Sequence, residues 1–390
     1  MDLLKKQKLL LLTLVHPDFL PPVYACAQTL RDLNYDIHIL TFDSFVPSEV
    51  NIGENITIES IGRHYDVKFL DRWVLRRKFT SRTKKLIKEG VAAVISFCPF
   101  SFLTGLKMGR SVPVIYFAME IADFATRGFP RSPLSHLNNL ITLYLMFKAD
   151  LVATPSVQRS AWLAGRCHLD IMPATIFNTA YLPKQDDTDS YKDIFKKIVP
   201  PHFSDKKIVL YTGAVNERLC VFELVEAFHL LNSDDCALIV TGIKDNEYCN
   251  SIKEFVKKSN QKDNIFLLPY VTREEMLALQ ANADIGACLV REYDNIISSK
   301  MIAPNKVGEY LNKGLFILGV KCEYMNFLEA KGVAALAQSP SAADVSFTLK
   351  KALEHTKSPD LKLVISNFVK NYYCMQKQAA PIINFLAHKL

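Results

Sequence analysis

Residues 284–320, DIGACLVREYDNIISSKMIAPNKVGEYLNKGLFILGV, gather the residue types best suited to an anionic, hydroxyl-rich ligand. Asn305 and Lys306 follow Pro304, whose fixed φ and missing N–H suit the first helical position, and Gly314 can take the left-handed conformation that closes a helix. Free N–H groups at the start of such a helix favour a phosphate. Val307, Tyr310 and Leu311 have the spacing of a buried face. Glu309 falls off that face and can turn into a cleft, where a carboxylate one turn behind a phosphate site accepts hydrogen bonds from ribose hydroxyls. Other polar groups follow apolar runs of strand length: Glu120 after 112–119, Asn216 and Arg218 after 208–212 and Gly213, and His16 and Asp18 after 9–15.

These groups need a scaffold that collects strand ends. Apolar runs at 9–15, 37–41, 56–61, 91–97, 112–119 and 151–154 alternate with helical spacing at 23–35, 100–109 and 134–148. A second series follows at 208–212, 238–241, 265–271, 285–290 and 315–320, with helices at 221–231, from Thr272 (a capping box with Glu275), and from Pro304 to Gly314. Strands alternating with helices predict parallel, helix-covered sheets, and 390 residues suit two such domains. The polar stretch 184–206, ending in Pro200-Pro201, has the composition of a connection between them.

APNKVGEYLNKG resembles the PNKxxEYxxxG signature of one branch of the family-4-type retaining glycosyltransferases. GAVNERLCVFELVEAF is similar to that family's G-[AR]-L-N-E-x-R-G-L-x-x-L-I-E-A, and KADLVATPS to its ADxVxxxS strand. The resemblance implies the α/β GT-B fold: two Rossmann-like parallel-sheet domains facing across a cleft. It implies an acceptor-side domain at 1–183, the connection at 184–206, a nucleotide-sugar-binding domain at 207–358, and helices at 359–390 packing back toward the first. Implied donor contacts are Gly213, Asn216, Tyr270, Val271, Asn305, Val307 and Glu309, with Glu120, Arg218 and Lys306 in catalysis; His16 and Asp18, where the chain departs from the family's glycine-rich turn, are candidates on the acceptor side. The implied reaction moves a sugar from a nucleotide diphosphate to a saccharide or lipid-linked acceptor, with retention and no metal, in cell-envelope polysaccharide or glycolipid synthesis.

Three departures keep alternatives open. Met301 stands where the commoner motif has its first Glu. Leu219-Cys220 replaces the basic residue and second Gly, so Arg218, one place early, either reaches the diphosphate or makes a surface salt bridge. His16-Pro17-Asp18 and Pro21-Pro22 replace the glycine-rich first turn, and read equally as a rigid surface loop. Glu120 either holds sugar hydroxyls or pairs with Arg127 or Arg131. A catalytically silent glycosyltransferase-like binding or scaffold protein is therefore the alternative.

Charge narrows the partners. The net charge is +7, and residues 1–183 hold 21 Lys and Arg against 15 Asp and Glu. Residues 71–88 carry eight basic residues and one acid. Arg76, Arg77, Lys78, Arg82, Lys84 and Lys85 there suit an anionic membrane surface, or else form a solvated helix face. The segment has no nucleic-acid-binding motif. No G-x-G-x-x-G follows the first strand, which argues against a nicotinamide dehydrogenase, and no ligand cluster suggests a metal or other cofactor. Nine cysteines without a C-x-x-C pair, and a seven-residue apolar run at 9–15 too short for a signal peptide or a membrane span, favour the cytoplasm, with a peripheral place on the membrane's inner face.

Overall fold

The structure, a computed structural model, describes residues 6–43, 53–63, 69–109, 111–120, 133–183, 188–292 and 301–390. The first sheet contains β1 (Lys8–Leu12), β2 (Asp36–Thr41), β3 (Ile56–Ser60), β4 (Val91–Ser96), β5 (Val114–Phe117), β6 (Leu151–Thr154) and β7 (Ala174–Thr175). Helices α1 (Pro21–Asp32), α2 (Phe69–Lys88), α3 (Pro99–Met108), α4 (Pro133–Leu145) and α5 (Val157–Cys167) connect them. All pairings are parallel, in the order β3-β2-β1-β4-β5-β6-β7.

The second sheet contains β8 (Lys207–Tyr211), β9 (Cys236–Val240), β10 (Ile265–Leu267), β11 (Ile285–Cys288), β12 (Phe316–Val320) and β13 (Ala334–Ala337), also all parallel, in the order β10-β9-β8-β11-β12-β13. Its helices are α6 (Thr188–Ile198), α7 (Val221–Leu231), α8 (Glu247–Lys258), α9 (Arg273–Ala281), α10 (Lys306–Asn312), α11 (Glu323–Ala330) and α12 (Ala342–His355). Then come α13 (Leu361–Asn371), α14 (Met375–Gln378) and α15 (Ala380–Lys389). Strands such as LLLL in β1 and CALIV in β9 are apolar throughout because helices cover both faces of each sheet.

In both sheets the strand order reverses beside the first strand, so a crevice opens at the carboxyl ends of β1 and β4 and of β8 and β11. The segment that leaves β7 meets the one that leads into α10. Asn178 donates through Nδ2 to the carbonyl of Ala303 (2.7 Å) and to Oδ1 of Asn305 (2.8 Å), and Asn312 donates to the carbonyl of Tyr181 (3.2 Å). Gly308 sits so close to this exit segment that a Cβ would lie 2.5 Å from the Asn178 carbonyl oxygen. The chain returns near its end: Tyr373 and Cys374 belong to the second core, whereas Met375, Ala379, Ile382 and Leu386 are buried in the first.

Two sequence expectations shift. The helix expected from Pro304 begins two residues later, at Lys306, and spans only seven residues. The segment 184–206 contains α6, whose Phe195 is buried in the second core with Val199 and Phe203.

Candidate active site

The turn after β8 and the start of α10 form the centre of the site. Gly213 (φ +115°) and Gly242 (φ +93°) both adopt left-handed backbone, and a Cβ on Gly242 would lie 1.9 Å from the Gly213 carbonyl oxygen. Tyr310 fixes α10 against this turn: its hydroxyl accepts from the Thr212 N–H (2.8 Å), and its ring fills the space a Cβ on Gly286 would need.

Lys306 is thereby held with its Nζ 3.7 Å from the centroid of the Tyr211 ring and against the Gly213 turn. Its ammonium is sealed from solvent and has no hydrogen-bond partner among the described residues. Burial pulls its pKa from 10.5 down to about 8. Asn305 precedes it, engaged by Asn178. Val307 is fully buried in the second core, so its side chain packs and only its backbone faces the turn.

Glu309 is placed differently from the sequence expectation of a carboxylate open to the cleft. It is 6 % exposed and ion-paired with Arg273, the first residue of α9. Arg273 is positioned by the expected capping box, in which the Thr272 N–H donates to Glu275 (2.7 Å) and the Glu275 N–H to the Thr272 hydroxyl (3.2 Å). Across from Arg273 lie Tyr24 and Asp18 of the first domain, close enough to act on its charge. The Tyr24 hydroxyl donates to Asp18 (3.0 Å), and His16 Nδ1 accepts from the Asp18 N–H (3.3 Å) while lying 3.1 Å from its carboxylate. The His16 and Asp18 loop thus takes part in the contact between the domains.

More cations converge on the same edge. Arg218 lies in a turn whose start is capped by Asn216, the Asn side chain accepting from the Leu219 N–H (3.2 Å). Cys220 stands at the glycine position of the resembled motif and keeps its backbone geometry, with φ +49°. The carbonyl of Arg218 accepts from the Arg291 N–H (2.8 Å), and the Arg291 side chain pairs with Glu223. Arg159, on the first turn of α5 behind its Ser156 cap, donates through Nε to the carbonyl of Met301 (2.8 Å) and through Nη1 to that of Met119 (2.5 Å), joining the two domains. Burial lowers its pKa to about 10, with Glu120 acting the other way and Arg218 adding to the fall. Tyr270 is 36 % exposed, with Lys244 Nζ 5.0 Å from its ring centroid, on the loop that continues β10 through Val271.

The first domain contributes a cavity of about 300 Å³ at the carboxyl ends of β1, β4 and β5, with Glu120 and Arg76 among its lining. Arg127 and Arg131, offered as partners of Glu120, lie outside the described residues. On α2, Arg77, Lys78, Lys84 and Lys85 are exposed. Arg82 is instead occupied by Glu59 (2.5 and 2.8 Å) and Glu89 (3.2 Å), and Arg76 turns inward over Phe100. Leu137, Leu140, Tyr144 and Phe147, on and just after α4, are exposed apolar side chains, and α2 and α4 both pack on α3.

The site therefore brings Lys306 and Asn305 to the Gly213 turn, and Glu120 and Arg218 close enough to Arg159 to act on its charge. Sequence reading missed Arg159, Arg273, Arg291 and Asn178. Their partners are distant in sequence, and an Arg three residues after a helix-capping Ser carries no signal of what it reaches.

Comparison with known proteins places this geometry. Residues 193–292 match the family model of glycosyl transferases group 1. No curated protein matches the sequence. Among solved structures, Anabaena HepE in complex with UDP is 15 % identical, with 98 % of this chain and 100 % of that chain covered and a TM-score of 0.68. Sucrose-phosphate synthase from Thermosynechococcus elongatus is 14 % identical, covering 98 % and 99 %, at 0.68, and a glycosyltransferase from Rickettsia africae is 12 % identical, covering 99 % of both, at 0.68. The chain has the GT-B fold. In open parallel sheets ligands bind beyond the carboxyl ends of the strands where the order reverses, and Lys306, Arg218 and Glu120 follow strands at those edges. The matched domain and the fold together support a glycosyltransferase.

Proposed function

We propose that the chain transfers a sugar from a nucleoside-diphosphate donor to a saccharide or lipid-linked acceptor, with retention of anomeric configuration and without a metal, in the synthesis of cell-envelope polysaccharide or glycolipid. The observation that carries this reading is Lys306: a sealed ammonium with no hydrogen-bond partner among the described residues, at the β8–β11 switch point. A diphosphate is the counter-charge such a group lacks. HepE, with the same fold, is found with UDP and with UDP-glucose.

In this reading the diphosphate lies over the Gly213 turn against Lys306 and Arg218, and the base lies by Tyr270 and Val271. Because α10 is only seven residues long, the cationic side chains carry more of the anion's stabilisation than the helix end does. As the glycosidic bond to phosphate breaks, charge grows on the diphosphate, and preorganised cations stabilise that state above the intact donor. The acceptor attacks from the same face, its proton passing to the leaving phosphate. Glu120 holds sugar hydroxyls. Ribose is placed near Glu309 and Arg273, the pair together presenting the polar surface the carboxylate alone was expected to supply.

The exposed cations of α2 and the exposed apolar residues of α4 form the face that meets an anionic membrane, in keeping with a cytoplasmic, peripheral protein. Among the described residues no helix is long and apolar enough to cross a bilayer. Sedimentation with vesicles containing phosphatidylglycerol tests this: binding that ignores anionic lipid or salt refutes it.

For the reaction, the test is proton NMR of the product's anomeric centre with and without EDTA. Retention and indifference to chelator are expected, and inversion or loss on chelation overturns the mechanism. A silent binding protein would bind nucleotide and release no sugar.

A further inference from the structure

The first-domain cavity is not simply a recess for hydroxyls. It occupies about 300 Å³ at the β1–β4 switch point, walled on its apolar side by Val15, Phe97, Phe100 and Met119. Arg76 enters it from α2, while Arg77 and Lys78 beside it face solvent. The guanidinium lies 5.0 Å over the Phe100 ring, and Nε is sealed from solvent with no hydrogen-bond partner among the described residues.

An arginine N–H buried without an acceptor is costly, and proteins seldom leave one so unless a ligand completes it. Stacking on Phe100 holds the planar fork in place, which reduces what binding would lose in ordering it. The groups that act on the charge of Arg76 are the Cys98 thiol and Arg72, one turn earlier on α2. Glu120 lines the same cavity but acts on Cys98 and Arg159. No described carboxylate acts on the charge of Arg76, so its end of the cavity is positive, and the planar fork suits a phosphate.

We infer that Arg76 binds a phosphate group carried by the acceptor, so that the acceptor is a phosphorylated saccharide or a phosphate-linked lipid. This rests on the glycosyltransferase reading, which leaves the first-domain cavity to the acceptor. It also takes Arg76 out of the membrane-facing set and gives it a ligand of its own.

The test compares the unaltered protein with Arg76→Gln and Arg77→Gln. Calorimetry measures UDP, glucose and glucose 6-phosphate, the sugars titrated with UDP present, and sedimentation measures phosphatidylglycerol vesicles. The expected result is that Arg76→Gln leaves UDP affinity unchanged, which also reports an intact fold, and weakens glucose 6-phosphate or vesicle binding about tenfold or more. Loss in the first arm assigns a soluble sugar phosphate, and loss in the second a lipid-borne phosphate. Glucose 6-phosphate and vesicle binding that are both as strong in Arg76→Gln as in the unaltered protein overturn the inference, whatever Arg77→Gln does to the vesicles. Failure of every protein to bind UDP would instead contradict the nucleotide-sugar reading.

Discussion

Lys306 gives the donor site a pH signature. Its folded pKa of about 8 lies below the ordinary 10.5, so between those values the unfolded chain binds more protons than the folded one, and stability rises with pH across that window. Lys306→Met should flatten that rise in denaturation curves. If UDP binds the ammonium as proposed, its affinity should fall as pH rises through about 8, and the substitution should weaken UDP by about 1.5–3 kcal/mol at neutral pH, read by calorimetry. Glu309 makes a different prediction from the one its sequence position invites. Because it neutralises buried Arg273, Glu309→Ala should cost about 3–5 kcal/mol of stability, and adding Arg273→Met should restore much of it, measured by a double-mutant cycle in urea. The sequence pattern of Pro304, Asn305, Lys306 and Gly314 was enough to single out Lys306, whose ammonium the fold buries without a hydrogen-bond partner among the described residues. It was silent on Arg273, which is 36 positions away from Glu309 in a chain whose only local cue there is a capping box.

At the scale of elements, α10 is set by close backbone contacts. A methyl at Gly308 would press on the Asn178 carbonyl at 2.5 Å and the Thr179 Cα at 2.7 Å, neither of which can yield as a flexible side chain would. Gly308→Ala should therefore cost about 1–3 kcal/mol and weaken UDP, both visible in thermal shift. Gly165 in α5 has nothing within 4 Å of its Cβ position, so Gly165→Ala should stabilise by about 0.5–1 kcal/mol. Strand and helix alternation was legible because β1, β9 and β12 are nearly continuous apolar runs bounded by turn residues. α6 was read as connection because Pro200-Pro201 and its Lys and Asp content outweighed Tyr191, Ile194, Phe195 and Ile198, which do have helical spacing. β13, Ala334–Ala337, went unread since an alanine run carries no strand propensity and is a strand only through burial beside β12.

For the whole molecule, the contact between domains is built from ties that no local pattern announces. Arg159 bonds to carbonyls at Met119 and Met301, and Asn178 to Ala303 and Asn305. Arg159→Met removes two charge-assisted bonds, and the radius of gyration by small-angle scattering should increase as the cleft opens, while UDP, whose proposed contacts lie mainly on the second domain, should bind within about tenfold of the unaltered affinity. Turnover of a sugar nucleotide in this GT-B cleft is the central claim. The direct measurement is release of nucleoside diphosphate from a panel of UDP-, GDP-, ADP- and dTDP-sugars, by the unaltered protein and by Lys306→Met. The account predicts release from at least one donor, even as slow hydrolysis without acceptor, and its loss in Lys306→Met. Nucleotide binding with no release from any donor, with phosphorylated and neutral acceptors both supplied, would contradict it.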